Sequence, residues 1–228
     1  MRNLPSTMRA LRACILVLPL ALAGCSVNEV ITAEETELHV AQSAPDESRL
    51  LDVGIIRFDD GVPENNDPEK TRVYDEIRSA EARYLAYHLK STMQGTGHWG
   101  AVRVIPSPNA FTDVLVNGRI ERSDGEFVEI VIDVSDTSGQ HWYRRTYETQ
   151  TGVSSYSENR DRRLDPYQKV FNDIANDIHA FSQTLPPEYV HRLQQVSELK
   201  FFADMSPASY GEYLQYDGGG IGTINRPP

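Results

Sequence analysis

Between Phe127 and Val134 every second residue is a β-branched aliphatic: Val128, Ile130, Ile132 and Val134. A strict period of two demands an extended strand with one face in a core and the other toward water. Thr112 to Arg122 repeats the pattern with Val114, Val116 and Ile120, and Gln140 to Thr149 follows with Trp142 and Tyr147 among charged neighbours. The segments Ser123-Asp124-Gly125 and Asp136-Thr137-Ser138-Gly139 between these runs carry the residues that antiparallel hairpins require. A three-strand meander is therefore predicted in the middle of the chain.

Two further strands are predicted ahead of it. Leu50-Leu51-Asp52-Val53-Gly54-Ile55-Ile56-Arg57-Phe58 is almost continuously apolar, the mark of a strand buried on both faces. Ala101 to Ile105 is short and rich in β-branched residues, and Pro106 and Pro108 end it. Between the two, apolar residues at Ile77, Ala80, Tyr84, Leu85, Leu89 and Met93 predict an amphipathic helix over about 74–94, which Gly95 and Gly97 can stop. After the meander, Asp165-Pro166 predicts a helix start, with Asp165 as the cap and Val170, Phe171, Ile174, Ile178 and Phe181 on one face. Pro186-Pro187 breaks this helix, and Val190, Leu193, Val196 and Leu199 trace a weaker one from Glu188 to Asp204. The order β-α-β-β-β-β-α-α predicts an α+β fold: a single mixed sheet of about five strands with helices packed on one face. No repeat of fixed period is visible, which argues against a solenoid.

The amino terminus reads as an address. Arg2, Arg9 and Arg12 precede an apolar run from Ala13 to Ala23, 11 residues long, against the roughly 20 that a helix needs to span a bilayer. This is the pattern of an export signal. The run ends in Leu22-Ala23-Gly24-Cys25, which resembles the lipobox of bacterial lipoproteins; the resemblance implies cleavage before Cys25 and acylation of that cysteine. More than one acyl chain is needed for stable anchoring, which agrees with lipid on both the sulfur and the freed amine. By resemblance to enterobacterial lipoproteins, Ser26 rather than an aspartate implies the periplasmic side of the outer membrane. The organisation expected is a signal peptide at 1–24, a flexible tether at 25–49, an α+β domain at 50–184, a carboxyl-terminal helix at 185–205 and a flexible Gly/Pro/aromatic tail at 206–228.

Composition then excludes several functions. The two cysteines are Cys14 and Cys25, so removal of the first and acylation of the second leave no thiol for a disulfide, a zinc site or a nucleophile. Without the three arginines of residues 1–24 the chain carries 19 basic against 33 acidic residues, which makes nucleic acid and anionic lipid poor partners for the molecule as a whole.

Candidate chemistry is sparse. The acidic loop Asp59, Asp60, Glu64, Asp67 and Glu69 has the oxygens a calcium ion wants, but its spacing does not fit an EF-hand and a solvated loop is the simpler reading. His39, His88, His98, His141, His179 and His191 include no close pair of the kind that holds zinc on a helix. His88 and His179 fit half-buried packing positions, and His98, in a tight turn with Trp99, can close a helix terminus. No G-x-S-x-G nucleophile turn exists, and Gly218-Gly219-Gly220-Ile221-Gly222 has neither the strand nor the lysine of a phosphate loop. No metal, cofactor or catalytic residue is therefore expected. Trp142, Tyr143, Arg144 and Tyr147 on the last strand, with Tyr210 and Tyr213 in the tail, are the residue types that dominate protein contact surfaces. The plainer alternative is that alternate members of the strand pack on the helices while its arginines stay solvated.

Four segments carry a family likeness: Leu51-Asp52-Val53-Gly54-Ile55-Ile56-Arg57-Phe58, Ala86-Tyr87-His88-Leu89-Lys90-Ser91-Thr92-Met93, Gly97-His98-Trp99-Gly100-Ala101-Val102-Arg103-Val104-Ile105-Pro106 and Thr112-Asp113-Val114-Leu115-Val116-Asn117-Gly118-Arg119-Ile120. Together they resemble the ABC-type transport auxiliary lipoproteins and the amino-terminal domain of TolB-like and penicillin-binding-protein-activator lipoproteins, over residues 50 to about 182. The resemblance implies a non-catalytic envelope module that binds or assembles an envelope protein complex; the alternative it implies is an auxiliary subunit of an ABC-type lipid or solute transport system.

Overall fold

The computed structural model describes residues 36–107, 111–150, 165, 167–216 and 222–225. The signal segment 1–24 and Cys25 lie outside the described residues. The first strand, β1 (Val53–Ile56), is followed by a short helix α1 (Pro68–Thr71) inside the acidic loop and then by α2 (Asp75–Thr96). Strands β2 (Val102–Ile105), β3 (Val114–Ser123), β4 (Phe127–Asp136) and β5 (His141–Gln150) come next. The helices α3 (Gln168–Ser182) and α4 (Pro187–Met205) follow.

The five strands form one mixed sheet in the order β2-β1-β3-β4-β5, the α+β arrangement expected. β1 is parallel to both neighbours, with Val53 opposite Val102 on one side and Val114 on the other. A parallel pair needs a crossover, and α2 supplies it between β1 and β2. β3, β4 and β5 are antiparallel, with Val116 opposite Val134 and Ile130 opposite Tyr147. Bulges interrupt the ladders at Ile120/Arg122 and at Val134/Ser135.

Alternate residues of β3 and β4 are buried, and Val116, Ile130, Ile132 and Val134 are fully excluded from solvent. α2 and α3 pack over this face, bringing Leu85, Leu89 and Met93 together with Phe171, Ile174 and Ile178 in one core. Gly118 is small because the ring of Phe58 lies there: a Cβ at 118 would stand 2.5 Å from it.

Three expectations change. Of the apolar face predicted for α2, Leu85, Leu89 and Met93 are buried, joined by Ala82 and Ala86, whereas Ile77, Ala80 and Tyr84 are exposed. The helix has two apolar stripes, and the one with small Ala82 and Ala86 lets it approach the sheet closely. Gly97, at φ 70°, caps the helix, while Gly95 stays inside it. Asp165 does not cap α3 directly. Its Oδ1 accepts from Tyr167 N at 2.7 Å, and Tyr167 is the cap.

The tether expected at 25–49 is docked from residue 36 onward. Asn172 Nδ2 donates to Thr36 O at 2.7 Å, Asn176 Nδ2 to Glu37 O at 2.9 Å, and His39 N to Asn176 Oδ1 at 2.9 Å. Two asparagines one turn apart on α3 thus satisfy an extended backbone that has no strand beside it. The tail expected at 206–228 contains a short helix α5 (Pro207–Tyr210) and an antiparallel ribbon of β6 (Leu214–Tyr216) and β7 (Gly222–Ile224). Gly222 N donates to Ser138 O, which fastens the ribbon to the β4–β5 turn. Among the described residues no helix is long and apolar enough to cross a membrane.

Candidate contact surfaces

The strand proposed for contact turns most of its aromatic side chains inward. Trp142 is 8% exposed, stacks on Phe181 with centroids 4.8 Å apart, and donates Nε1 to Asp136 Oδ2 at 2.9 Å. Tyr147 is buried and donates to Asp177 Oδ2 at 2.8 Å; burial pushes its phenol well above the ordinary range. Tyr143 is half-buried beside Phe181, and burial raises its phenol to about 12. Arg144 is exposed. Trp142 and Tyr147 are thus parts of the core and not of a contact surface, because helix α3 already covers them.

Tyr210 and Tyr213 fare differently. Tyr210 stacks on Phe202 at 5.2 Å, Tyr213 lies 5.9 Å from Tyr210, and Phe201 bridges Phe202 at 5.7 Å and Phe111 at 5.3 Å. The result is a chain of five rings along the end of α4 and the start of the tail. Phe201 is 42% exposed and the other four rings are partly buried, and Met205, at the end of α4, is 70% exposed. Monomers rarely leave contiguous large apolar side chains uncovered without a use for them. The tail aromatics were legible in sequence. Met205 and Phe111 were not, because neither position lies in a periodic run.

A second feature lies where the docked amino-terminal segment meets the ends of α2 and α3. A cavity of about 310 Å³ is lined there by Gln42, Asp46, Arg49, His98, His179 and Gln183, among others. His98 and His179 stack with ring centroids 3.6 Å apart and planes 8° from parallel. Burial foremost, and then the neighbouring His98, hold His179 down at about 4; burial also lowers His98, whose Nε2 lies 3.2 Å from His39 O. Near neutral pH the pair is therefore uncharged, which is what close stacking of two imidazoles requires. The lining suits a small polar molecule more than the apolar ligand a lipid-carrying subunit would hold.

At the same end of the sheet Asp113 is buried and receives Asp52 N at 2.8 Å; burial raises its carboxyl to about 6. In the acidic loop Asp59 and Asp60 accept from Gly61 N and Val62 N, and Asp67 pairs with Lys70 at 2.8 Å. Among the described residues no group of three His, Cys, Asp or Glu side chains is placed to hold a metal ion.

No family model matches the chain, and no curated protein matches it. Among solved structures, the hypothetical protein CT253 of Chlamydia trachomatis is similar at 10% identity and TM-score 0.40, over 59% of this chain and 99% of its own. PelC of Paraburkholderia phytofirmans, solved as a dodecamer, is similar at 17% identity and TM-score 0.34, over 67% of this chain and 94% of its own. Likenesses this distant say nothing of what the chain binds.

Proposed function

We propose that this chain is a lipid-anchored, periplasm-facing module of the bacterial outer membrane, acylated at Cys25, that binds a protein of the envelope and is not itself an enzyme. The observation that carries the binding half is the five-ring surface at the end of α4, with Phe201 42% and Met205 70% exposed. Aromatic side chains give large contact area at small entropic cost, and a pre-stacked set gives it at less still. The anchoring half rests on the sequence at 13–25. The test is mild cross-linking in the native envelope, capture of the full-length protein, and mass spectrometry of the captured proteins and of the peptide that begins at Cys25. A reproducible partner that falls at least tenfold in Met205→Glu and Tyr213→Ala, with unchanged melting of the domain and lipid on Cys25, supports the proposal. A free Cys25 thiol removes the anchor; capture indifferent to both substitutions removes the surface.

A further inference from the structure

Three histidines far apart in sequence meet where the amino-terminal segment reaches the ends of α2 and α3. His39 belongs to the segment, His98 to the turn after α2 and His179 to α3. His98 and His179 lie face to face, ring centroids 3.6 Å apart, and His98 Nε2 stands 3.2 Å from His39 O. Ala41, Pro45 and Leu50 of the segment line the same cavity as the two rings. Residues 36–46 are held by few bonds: those from Asn172 and Asn176, and Ala41 N donating to Thr96 O at 2.8 Å. Beyond them the chain is fixed separately, because Gln194 Nε2 of α4 donates to Leu50 O at 2.9 Å.

A close parallel stack suits two neutral imidazoles and not two cations. Among the described residues the histidines paired with a carboxylate are His88, with Asp165, and His141, with Asp133. His98 and His179 have no such partner, and Nδ1 of His179 is buried without a hydrogen bond, so an N–H there finds no acceptor. The ionisable groups facing the pair come from the segment: His39, Asp46 and Arg49. Asp46 Oδ1 is taken by Ser48, through N at 3.0 Å and Oγ at 2.8 Å, and Arg49 adds like charge to any imidazolium. The end of α2 and the body of α3 bring Thr96, Trp99 and Gln183, none of which titrates in this range.

From this arrangement we infer that the histidine pair is an acid-sensitive latch: uncharged it seats residues 36–46 on the domain, and protonated it drives the rings apart and releases that segment while the sheet stays folded. Burial supports the direction. It holds His179 at about 4 against an ordinary 6.5 and lowers His98 as well; the bond to His39 O opposes this at His98, and burial outweighs it. Lifting the segment returns water to the rings, so below pH 6.5 the open form binds protons that the closed form refuses. The closed form is therefore favoured above 6.5 and loses ground as pH falls toward about 4. In a chain anchored at Cys25 the freed residues join the tether; the release itself does not rest on that reading.

Hydrogen exchange of the full-length protein, read by mass spectrometry and corrected for the intrinsic pH dependence of amide exchange, tests the latch on peptides spanning 36–46. Exchange there should accelerate about tenfold or more from pH 7 to pH 5 while peptides of β4 keep their protection. The double substitution His98→Gln/His179→Gln should cut the acceleration to less than about twofold, and His179→Gln alone to an intermediate value. A melt at pH 7 checks that each variant folds. Exchange at 36–46 that ignores pH in the unsubstituted protein overturns the inference. So does acceleration that survives the double substitution, which assigns the effect to another group such as His39. Loss of β4 protection in step with 36–46 reports global unfolding by acid and overturns it too. NMR titration of the two rings in the unsubstituted protein decides without any variant: ring midpoints below 6.5 that coincide with a shift of the Ala41 amide support the latch, and rings that titrate while Ala41 stays unmoved overturn it.

Discussion

The indole Nε1 of Trp142 donates to Asp136 Oδ2 at 2.9 Å, and that one contact ties the last strand of the sheet to the turn that introduces it. Asp136 is 1% exposed and also accepts from Tyr189 at 2.7 Å, Gln140 N at 3.1 Å, and Ser138 through N at 3.0 Å and Oγ at 2.6 Å. A buried carboxyl is tolerable only with its lone pairs this fully occupied, and Lys200 adds a favourable charge nearby.

Asp136→Ala strands those donors in a closed space and costs at least about 3 kcal/mol. Trp142→Ala opens a cavity beside Phe181 and costs about 3–5 kcal/mol. Both are read from denaturant melts. Partner capture by the Trp142 variant should fall only with its folded fraction; a loss beyond that would return Trp142 to the contact surface.

Two groups, one half-buried and one buried, pull acid stability in opposite directions. His179 takes its proton near pH 4 when folded and near 6.5 otherwise, so below 6.5 the unfolded chain binds a proton the folded one refuses. Its contribution is present above 6.5 and lost as pH falls toward about 4. Asp113, ordinarily 3.8 and here about 6, does the reverse: its contribution is present below 3.8 and lost as pH rises through 6. His179→Gln should flatten the acid decline, and Asp113→Asn should stabilise the protein at pH 8 more than at pH 4. Titration of the His179 ring by NMR checks the first directly; a midpoint at 6 or above would show that burial does not hold the ring neutral.

Gly118→Ala sets a methyl group 2.5 Å from the ring of Phe58, a core residue, at a buried position. Overpacking of this kind costs about 1–3 kcal/mol. Combining it with Phe58→Leu should recover part of the loss, a coupling visible in a double-mutant cycle. Strict additivity would mean the two side chains do not meet.

The amino-terminal segment is held by α3 and, through Ala41 N donating to Thr96 O at 2.8 Å, by the end of α2. Asn172→Ala and Asn176→Ala remove the donors to Thr36 O and Glu37 O, and the second also frees His39 N. Each costs about 1 kcal/mol. Amide exchange at His39 should accelerate at least fivefold in Asn176→Ala while the amides of β4 keep their protection. Unchanged exchange would show that Leu38, packed on the core, holds the segment without the asparagines.

Strand identity in this protein is a local property. The period of two in Val114-Val116-Ile120 and Val128-Ile130-Ile132-Val134, with Asp-Gly and Ser-Gly turns between, leaves one way to bury the aliphatic side chains, and the sheet is built that way. The helices and the tail aromatics were legible for the same reason. Leu85, Leu89 and Met93 of α2 were legible as core, but that Ile77 and Tyr84 stay outside it was not, since both sets are apolar at helical spacing and only contact with α3 and the sheet separates them. Whether Trp142 was a contact residue or packed on the helices stayed open in the sequence because its partners, Asp136 and Phe181, lie 6 and 39 positions away in directions no local pattern encodes, and the structure shows it packed. The docking of residues 36–41 was equally invisible, because an asparagine side chain declares its hydrogen bond only when a backbone has been brought beside it. Periodicity and turn chemistry act between neighbours in sequence and determined the elements; burial and hydrogen bonding act between neighbours in space, and they alone decided which faces this protein keeps for itself and which it offers to others.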